Sequence, residues 1–165
     1  MKSSHWQNPN YDTPFHPHLT HISTKLADPS TSPGILSTTL FFFTVPSSAC
    51  NTLGTLHGGA TSTLFDLTTS IALAAVSRPG AFQYLGVTRT LNVTYLKAAR
   101  EGMKVVVGNE VVSIGGRLSV IRGWIAESDG SAEGGVKGGL LAVCEHGKVN
   151  TDPPMEKKKK GKSKL

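Results

Sequence analysis

Asn51, His57, Gly58, Gly59 and Asp66 fall within sixteen residues of one another. Together they offer an amide, an imidazole, two glycine N–H groups and a carboxylate. The stretch Asn51-Thr-Leu-Gly-Thr-Leu-His57-Gly58-Gly59 leads into apolar residues at helical spacing, Ala60, Leu64, Leu67, Ile71 and Ala74/Ala75. That pattern predicts a polar loop turning into a helix over about His57–Val76. Backbone N–H groups at a helix start lack intrahelical partners and carry the positive end of the dipole. Glycine there lets a ligand oxygen approach the backbone closely. Such a set suits attack on a carbonyl, with the N–H polarising the oxygen and the carboxylate acting as base toward water.

Taken singly, each residue also has a plainer reading. Asp66 sits among Leu64, Phe65 and Leu67, where an unpaired buried carboxylate is costly. It is either a helix-surface residue or bonded to Thr63, Thr69 or Ser70, which lie three or four positions away. A lone His57 suits a structural role, Gly58-Gly59 suits close helix packing, and Asn51 is a good turn residue. The combination at a loop-to-helix junction is more specific than any member.

Spacing then constrains the assembly. Gly58 and Asp66 are eight residues apart, roughly 12 Å along one helix. A carbonyl polariser and a base must each lie within about 3 Å of their reacting atoms. Two copies of the helix running antiparallel across a two-fold axis meet that demand, because the mouth of one faces the second turn of the other. An active site here therefore predicts an obligate dimer with shared sites.

The elements that must position these groups follow from pattern. Residues 18–26 and Ile35–Val45 read as two strands joined by turn chemistry, Asp28-Pro29 and Ser32-Pro33-Gly34. The helix is apolar on most sides, as when a sheet wraps it, and Arg78-Pro79-Gly80 stops it. Four strand-like segments come next: Phe82–Tyr95, Met103–Ser113, Leu118–Glu127 and Gly138–Glu145. The Gly-rich stretch Ser128–Lys137 reads as a flexible hairpin tip. The order β-β-α-β-β-β-β argues the α+β class, an antiparallel sheet with one long helix on a face. Residues 1–17 read as a loosely held arm docked by Trp6 or Phe15, 18–149 as the domain, and 150–165 as a disordered basic tail.

At 165 residues the chain supports one domain with a real core. The apolar fraction of 38% and charged fraction of 17% fit a globular protein. No apolar run is long enough to span a bilayer, and the N-terminus lacks the apolar core of a secretory signal. Two cysteines, Cys50 and Cys144, are too few for a disulfide framework and lack metal-ligand spacing. The formal +6 charge is largely an appendage, since Lys157–Lys160, Lys162 and Lys164 crowd the tail. A nearly neutral body gives no reason to expect nucleic acid.

The core Asn51-x-x-Gly-Thr-Leu-His-Gly-Gly-x-x-x-x-Leu-x-Asp66, supported by Leu91-Asn-Val-Thr-Tyr95, resembles the hotdog-fold acyl-CoA thioesterases. The branch is that of the phenylacetate-pathway enzymes and thioesterase superfamily member 2. The likeness runs from about Leu19 to His146. It implies a six-stranded sheet wrapped around a central helix, and hydrolysis of acyl-CoA to free acid and CoA without metal or cofactor. It implies that Gly58 N–H polarises the thioester carbonyl and that Asp66 of a second subunit activates the water. Asn51 and His57 would position substrate, water or leaving thiolate. Thr88 stands where relatives carry the Ser that assists the carboxylate; it keeps the hydroxyl but is stiffer at χ1.

The coenzyme A moiety is expected along Tyr95–Arg100 and Ser113–Leu118. Tyr95, Lys97, Arg100, Ser113, Gly115, Gly116, Arg117 and Leu118 are its candidate contacts, with the three cations as phosphate partners. Each cation is equally readable as a solvated turn residue, and Lys97-Ala98 departs from the Ser-Pro common in relatives. A homodimer, or a tetramer as a dimer of dimers, is implied. The rival readings are a hotdog enoyl-CoA hydratase or dehydratase, whose Asp-x-Asn-Pro-type stretch is missing, and a non-catalytic acyl-CoA-binding module. The closing Ser163-Lys164-Leu165 reads as a peroxisomal address recognised by an import receptor, in keeping with fatty-acid metabolism.

Overall fold

The computed structural model describes residues 10–153. Trp6 and the Ser163-Lys164-Leu165 tripeptide lie outside that range. Six strands and one long helix follow the order read from pattern: β1 Leu19–Leu26, β2 Ser37–Thr44, α1 Gly58–Ala72, β3 Val87–Tyr95, β4 Lys104–Ile114, β5 Leu118–Ser128 and β6 Val136–Val149. A 3-10 turn, Leu73–Ala75, continues α1. The strands form one antiparallel sheet in the order β1-β2-β4-β5-β6-β3. β1–β2 is the expected hairpin and β4–β5–β6 a meander. After the helix the chain returns to the far edge, so among the described residues β3 pairs with β6 alone and its other edge is open.

Alternation in the strands supplies the helix-facing surface. Phe41 and Phe43 of β2, Val105 and Val107 of β4, Ile125 of β5 and Ala142 of β6 form a buried cluster with Leu64 and Phe65 of α1. A second cluster, Ala72, Leu73, Phe82, Val111 and Ile121, closes the other end. Phe65 lies over Gly123, where a Cβ would stand 2.9 Å from the phenyl ring and 2.8 Å from Cys144 Sγ. Glycine at that point sets how closely helix and sheet approach.

The helix is less fully enclosed than its composition suggests. Its buried face is Thr61, Leu64, Phe65, Thr68, Thr69 and Ala72. Ile71, in the expected apolar series, is 38% exposed, and Leu67 is half-buried. The sheet covers one side only, and the threonines enter the core because their hydroxyls bond back to backbone carbonyls one turn earlier.

Several boundaries differ from the sequence reading. β3 begins at Val87 and not Phe82, because Phe82 (φ 62°) and Leu85 (φ 61°) are left-handed and cannot continue a strand. Asn150 and Asp152, which sequence places in the tail, hold that turn. Asn150 Oδ1 accepts from Phe82 N–H at 3.2 Å, and the Asp152 carboxylate accepts from Gln83 N–H at 2.7 Å and Tyr84 N–H at 3.1 Å. β6 runs on past Glu145 through His146 and Lys148 to Val149. In the β5–β6 connection, Ser128 belongs to β5 and Val136 and Lys137 to β6. The residues between fold back, with Gly134 beside Ile22, Leu40 and Val106. Within the N-terminal arm, Thr13–His18 is a 3-10 helix whose Phe15 is buried and stacked on Phe43 at 5.9 Å. Among the described residues no helix is long and apolar enough to cross a membrane.

Candidate active site

The loop before α1 is held by its own side chains. Asn51 N–H donates to Thr55 C=O at 2.8 Å, Asn51 Oδ1 accepts from Leu53 N–H at 2.9 Å, and Asn51 Nδ2 donates to Thr55 Oγ1 at 3.0 Å. Both ends of the amide are thus committed to the turn, the structural role open to Asn51 from sequence. His57 N–H donates to Ala49 C=O at 2.9 Å. His57 is the N-cap of α1, with Nδ1 accepting from Gly59 N–H at 3.0 Å. An accepting Nδ1 leaves the ring proton on Nε2, so the outer nitrogen is a donor.

The peptide carrying Gly58 N–H is fixed from its carbonyl side, because His57 C=O accepts from both the N–H (2.9 Å) and the hydroxyl (3.2 Å) of Thr61. Tyr95 covers the same turn. Its hydroxyl donates to Gly58 C=O at 2.9 Å and meets Ser62 Oγ at 3.0 Å. Gly58 N–H has no acceptor among the described residues and stands at the positive end of α1.

Asp66, two turns on, is half-exposed and does not bond Thr63, Thr69 or Ser70 through its carboxylate. Its Oδ1 accepts from Thr88 Oγ1 of β3 at 2.6 Å. Thr88 Oγ1 in turn lies 3.0 Å from Nε2 of His146 on β6, and His146 Nδ1 lies 2.6 Å from Thr69 Oγ1. An ionised carboxylate only accepts, so the Thr88 hydroxyl points at Asp66 and His146 Nε2–H must donate to Thr88. The one Thr69 hydroxyl proton is then shared between Phe65 C=O and His146 Nδ1. The result is a directed pair of bonds, His146 to Thr88 to Asp66.

His146 is fully buried. Burial pushes its pKa from 6.5 down to about 4, with nearby Lys148 adding to the shift and Asp66 partly opposing it. It is therefore neutral near pH 7, and its 3.4 Å approach to Asp66 Oδ1 is no ion pair. Lys148 is itself buried and donates to Ser70 Oγ at 2.7 Å; burial lowers its pKa, against the pull of Asp66. His146, Lys148 and Thr69 were not singled out from sequence as functional. The signal was there in period two: Cys144, His146 and Lys148 alternate toward the helix along β6.

Gly58 and Asp66 open onto different clefts. Gly58, Thr61, Tyr95 and Lys97 line one of about 350 Å³. His57 and Gly59 line a second of about 360 Å³. Asp66, Thr63 and Tyr11 line a third of about 510 Å³. The expected coenzyme A contacts are also divided. Tyr95, Lys97 and Arg100 lie beside the helix mouth, where Arg100 bridges to Thr55. Ser113, Gly115, Gly116, Arg117 and Leu118 form the β4–β5 turn, closed by Gly115 N–H on Leu118 C=O at 2.8 Å. Leu118 is in register with Val149 and Val149 with Val87, whereas Tyr95 faces Ala142. The length of β3, ~26 Å, separates the two groups within one chain.

Residues 53–131 match the family model described as "Thioesterase superfamily". Residues 53–131, just under half of the chain, are thus similar to a thioesterase-superfamily domain. Acyl-coenzyme A thioesterase 13 of Mus musculus is 36% identical over 69 residues, 42% of this chain and 46% of the relative. The Homo sapiens protein of that name gives the same values. The match thus spans about half the length of these curated relatives. Zebra fish thioesterase superfamily member 2 superposes with a TM-score of 0.65 at 26% identity, covering 87% of this chain and 88% of that one. A hypothetical thioesterase protein from Streptococcus pneumoniae, solved with coenzyme A, shares the fold: TM-score 0.57, 20% identity, 77% of this chain and 84% of that one. The sheet wrapped on one long helix is the hotdog fold.

Proposed function

We propose that the protein is an acyl-CoA thioesterase whose active site forms between two copies of the chain. One observation carries this reading. The helix mouth and the Asp66 station are each fully built, yet they open onto separate clefts of one chain. Antiparallel pairing of two chains along the open edge of β3 puts Thr88 and Asp66 of one copy beside Tyr95 and Gly58 of the other. The same pairing brings the Ser113–Leu118 turn of one copy toward the Tyr95–Arg100 segment of its partner, which one coenzyme A needs.

In that site Gly58 N–H and the helix dipole stabilise the oxyanion as water adds to the thioester carbon. His57 Nε2–H is a second donor at the mouth. The opposite carboxylate, its Oδ1 held by Thr88, takes the water proton on Oδ2. Collapse of the tetrahedral adduct expels CoA thiolate and leaves the free acid. Asn51 shapes the loop that presents His57 and Gly58, a positioning role.

The test is thiol release from a panel of acyl-CoAs by the unmodified protein and by Asp66→Ala. General-base loss lowers kcat by about 10²- to 10⁴-fold. Unchanged hydrolysis by Asp66→Ala would sink the mechanism. Tight acyl-CoA binding without turnover in the unmodified protein would favour a binding module.

A further inference from the structure

The arm before β1 has a place in this site. Tyr11, Pro14 and Phe15 of the arm line the 360 Å³ cleft together with Pro46, Ser48 and Ala49 of the loop after β2 and with His57 and Gly59 of the helix mouth. The arm is anchored: Phe15 is buried and stacks on Phe43 with an interplanar angle of 20°. Its 3-10 helix is pinned by Phe15 N–H on Asp12 C=O at 2.9 Å.

A thioester carbonyl whose oxygen points at Gly58 N–H sends its two substituents to opposite sides of the helix mouth, because they diverge at a planar carbon. Two clefts flank that mouth. The one beside Tyr95 carries the Lys97 ammonium and suits the anionic, polar CoA arm. Among the described residues, the one under the arm has no acidic or basic side chain other than the capping His57. Its volume is at the low end of small-molecule pockets.

Resting on the thioesterase reading, we infer that the cleft between Tyr11–Phe15 and Pro46–Ala49 holds the acyl group. The substrate class is then an uncharged acyl chain short enough to be enclosed there, and the arm is the specificity-determining wall.

The experiment is a kcat/KM profile over acetyl-, hexanoyl-, dodecanoyl- and palmitoyl-CoA for the unmodified protein, Ser48→Leu, Tyr11→Ala and Ala98→Leu. Ser48, Tyr11 and Ala98 are exposed, so the variants should fold, and thermal melts check this. Ser48→Leu fills the cleft and should lower the hexanoyl-to-acetyl ratio about tenfold, the scale of a methylene-sized misfit in an apolar pocket. Tyr11→Ala opens it and should raise the dodecanoyl-to-hexanoyl ratio. Ala98→Leu, in the Lys97 cleft, should change all four substrates alike. A ratio moved by Ala98→Leu and not by Ser48→Leu would overturn the assignment and put the acyl group on the Lys97 side. Hydrolysis of no thioester by the unmodified protein would instead overturn the thioesterase reading, and this one with it.

Discussion

The helix mouth and the Asp66 station are built in opposite ways. The mouth is local. Asn51, Thr55, His57, Gly59 and Thr61 hold one another across eleven residues of chain, by bonds that any copy of the segment could make. The Asp66 station is assembled from three elements, with α1 supplying the carboxylate and Thr69, β3 supplying Thr88, and β6 supplying His146. A local device presents a backbone donor whatever the sheet does. A non-local one sets a carboxylate oxygen only when β3 and β6 are in register. On the proposed mechanism, the half that supplies the acid–base group is thus the half that depends on the whole fold.

The largest expected effect tests whether the two halves are separate units. Asp66→Asn should cost about 10²- to 10⁴-fold in kcat. Gly58→Pro should cost about 10²- to 10³-fold, because it deletes a single oxyanion donor. Proline is well suited to the first helical position, and His57 before it is already extended at φ −63°, ψ 140°. Mixed dimers of the two variants, refolded together, should regain part of the activity. Each such dimer has one site with both halves intact. Thiol release after mixing checks this, and no recovery would break the shared-site reading.

His146 gives the next effect, on stability. Its folded pKa lies below its unfolded value, so the unfolded chain binds the proton first as pH falls. Stability is therefore complete above pH 6.5 and drains away between 6.5 and about 4, by up to ~3 kcal/mol. Urea unfolding at pH 7.5, 6 and 5 should show the loss, and His146→Asn, less stable at neutral pH, should show a flatter profile.

Thr88 gives the smallest. Thr88→Val keeps the shape but deletes the hydrogen bond to the Asp66 carboxylate, worth about 1.5–3 kcal/mol if fully expressed and about tenfold in kcat if partly. Thr88→Ser should retain the rate. A loss in Thr88→Ser with Thr88→Val unchanged would mean that the methyl group, and not the hydroxyl, positions Asp66.

The same contrast explains what could be read from the chain. The mouth was legible because its partners are neighbours in sequence and its glycines and cap residue have few other uses. The α+β class, the β1–β2 hairpin and the antiparallel sheet followed from alternation and turn residues. The Asp66 station was half legible: Thr88 came through resemblance, and His146 was missed. Glu145, Gly147 and Lys148 around His146 look like the end of a strand, and only the period-two alternation running on from Cys144 marks His146 and Lys148 as inward-facing. Phe82 was read as strand because apolar character does not reveal a left-handed backbone held by acceptors almost seventy residues away. Leu67 and Ile71 were read as core because periodicity shows that a helix has an apolar face, but not how much of it the sheet reaches.

The clamp by Asn150 and Asp152 bears on how the chain can be cut and joined. A shortened version ending at Val149 would retain every strand and every group of the site, and would look complete on a topology diagram. It would lack the carboxylate that gathers the N–H groups of Gln83 and Tyr84, and with it the stop that determines where β3 starts. Thr88 is the second residue of that strand. Fusions and deletions at this end are therefore best placed beyond Pro153, since a boundary four residues earlier would loosen the hydroxyl that aims Asp66.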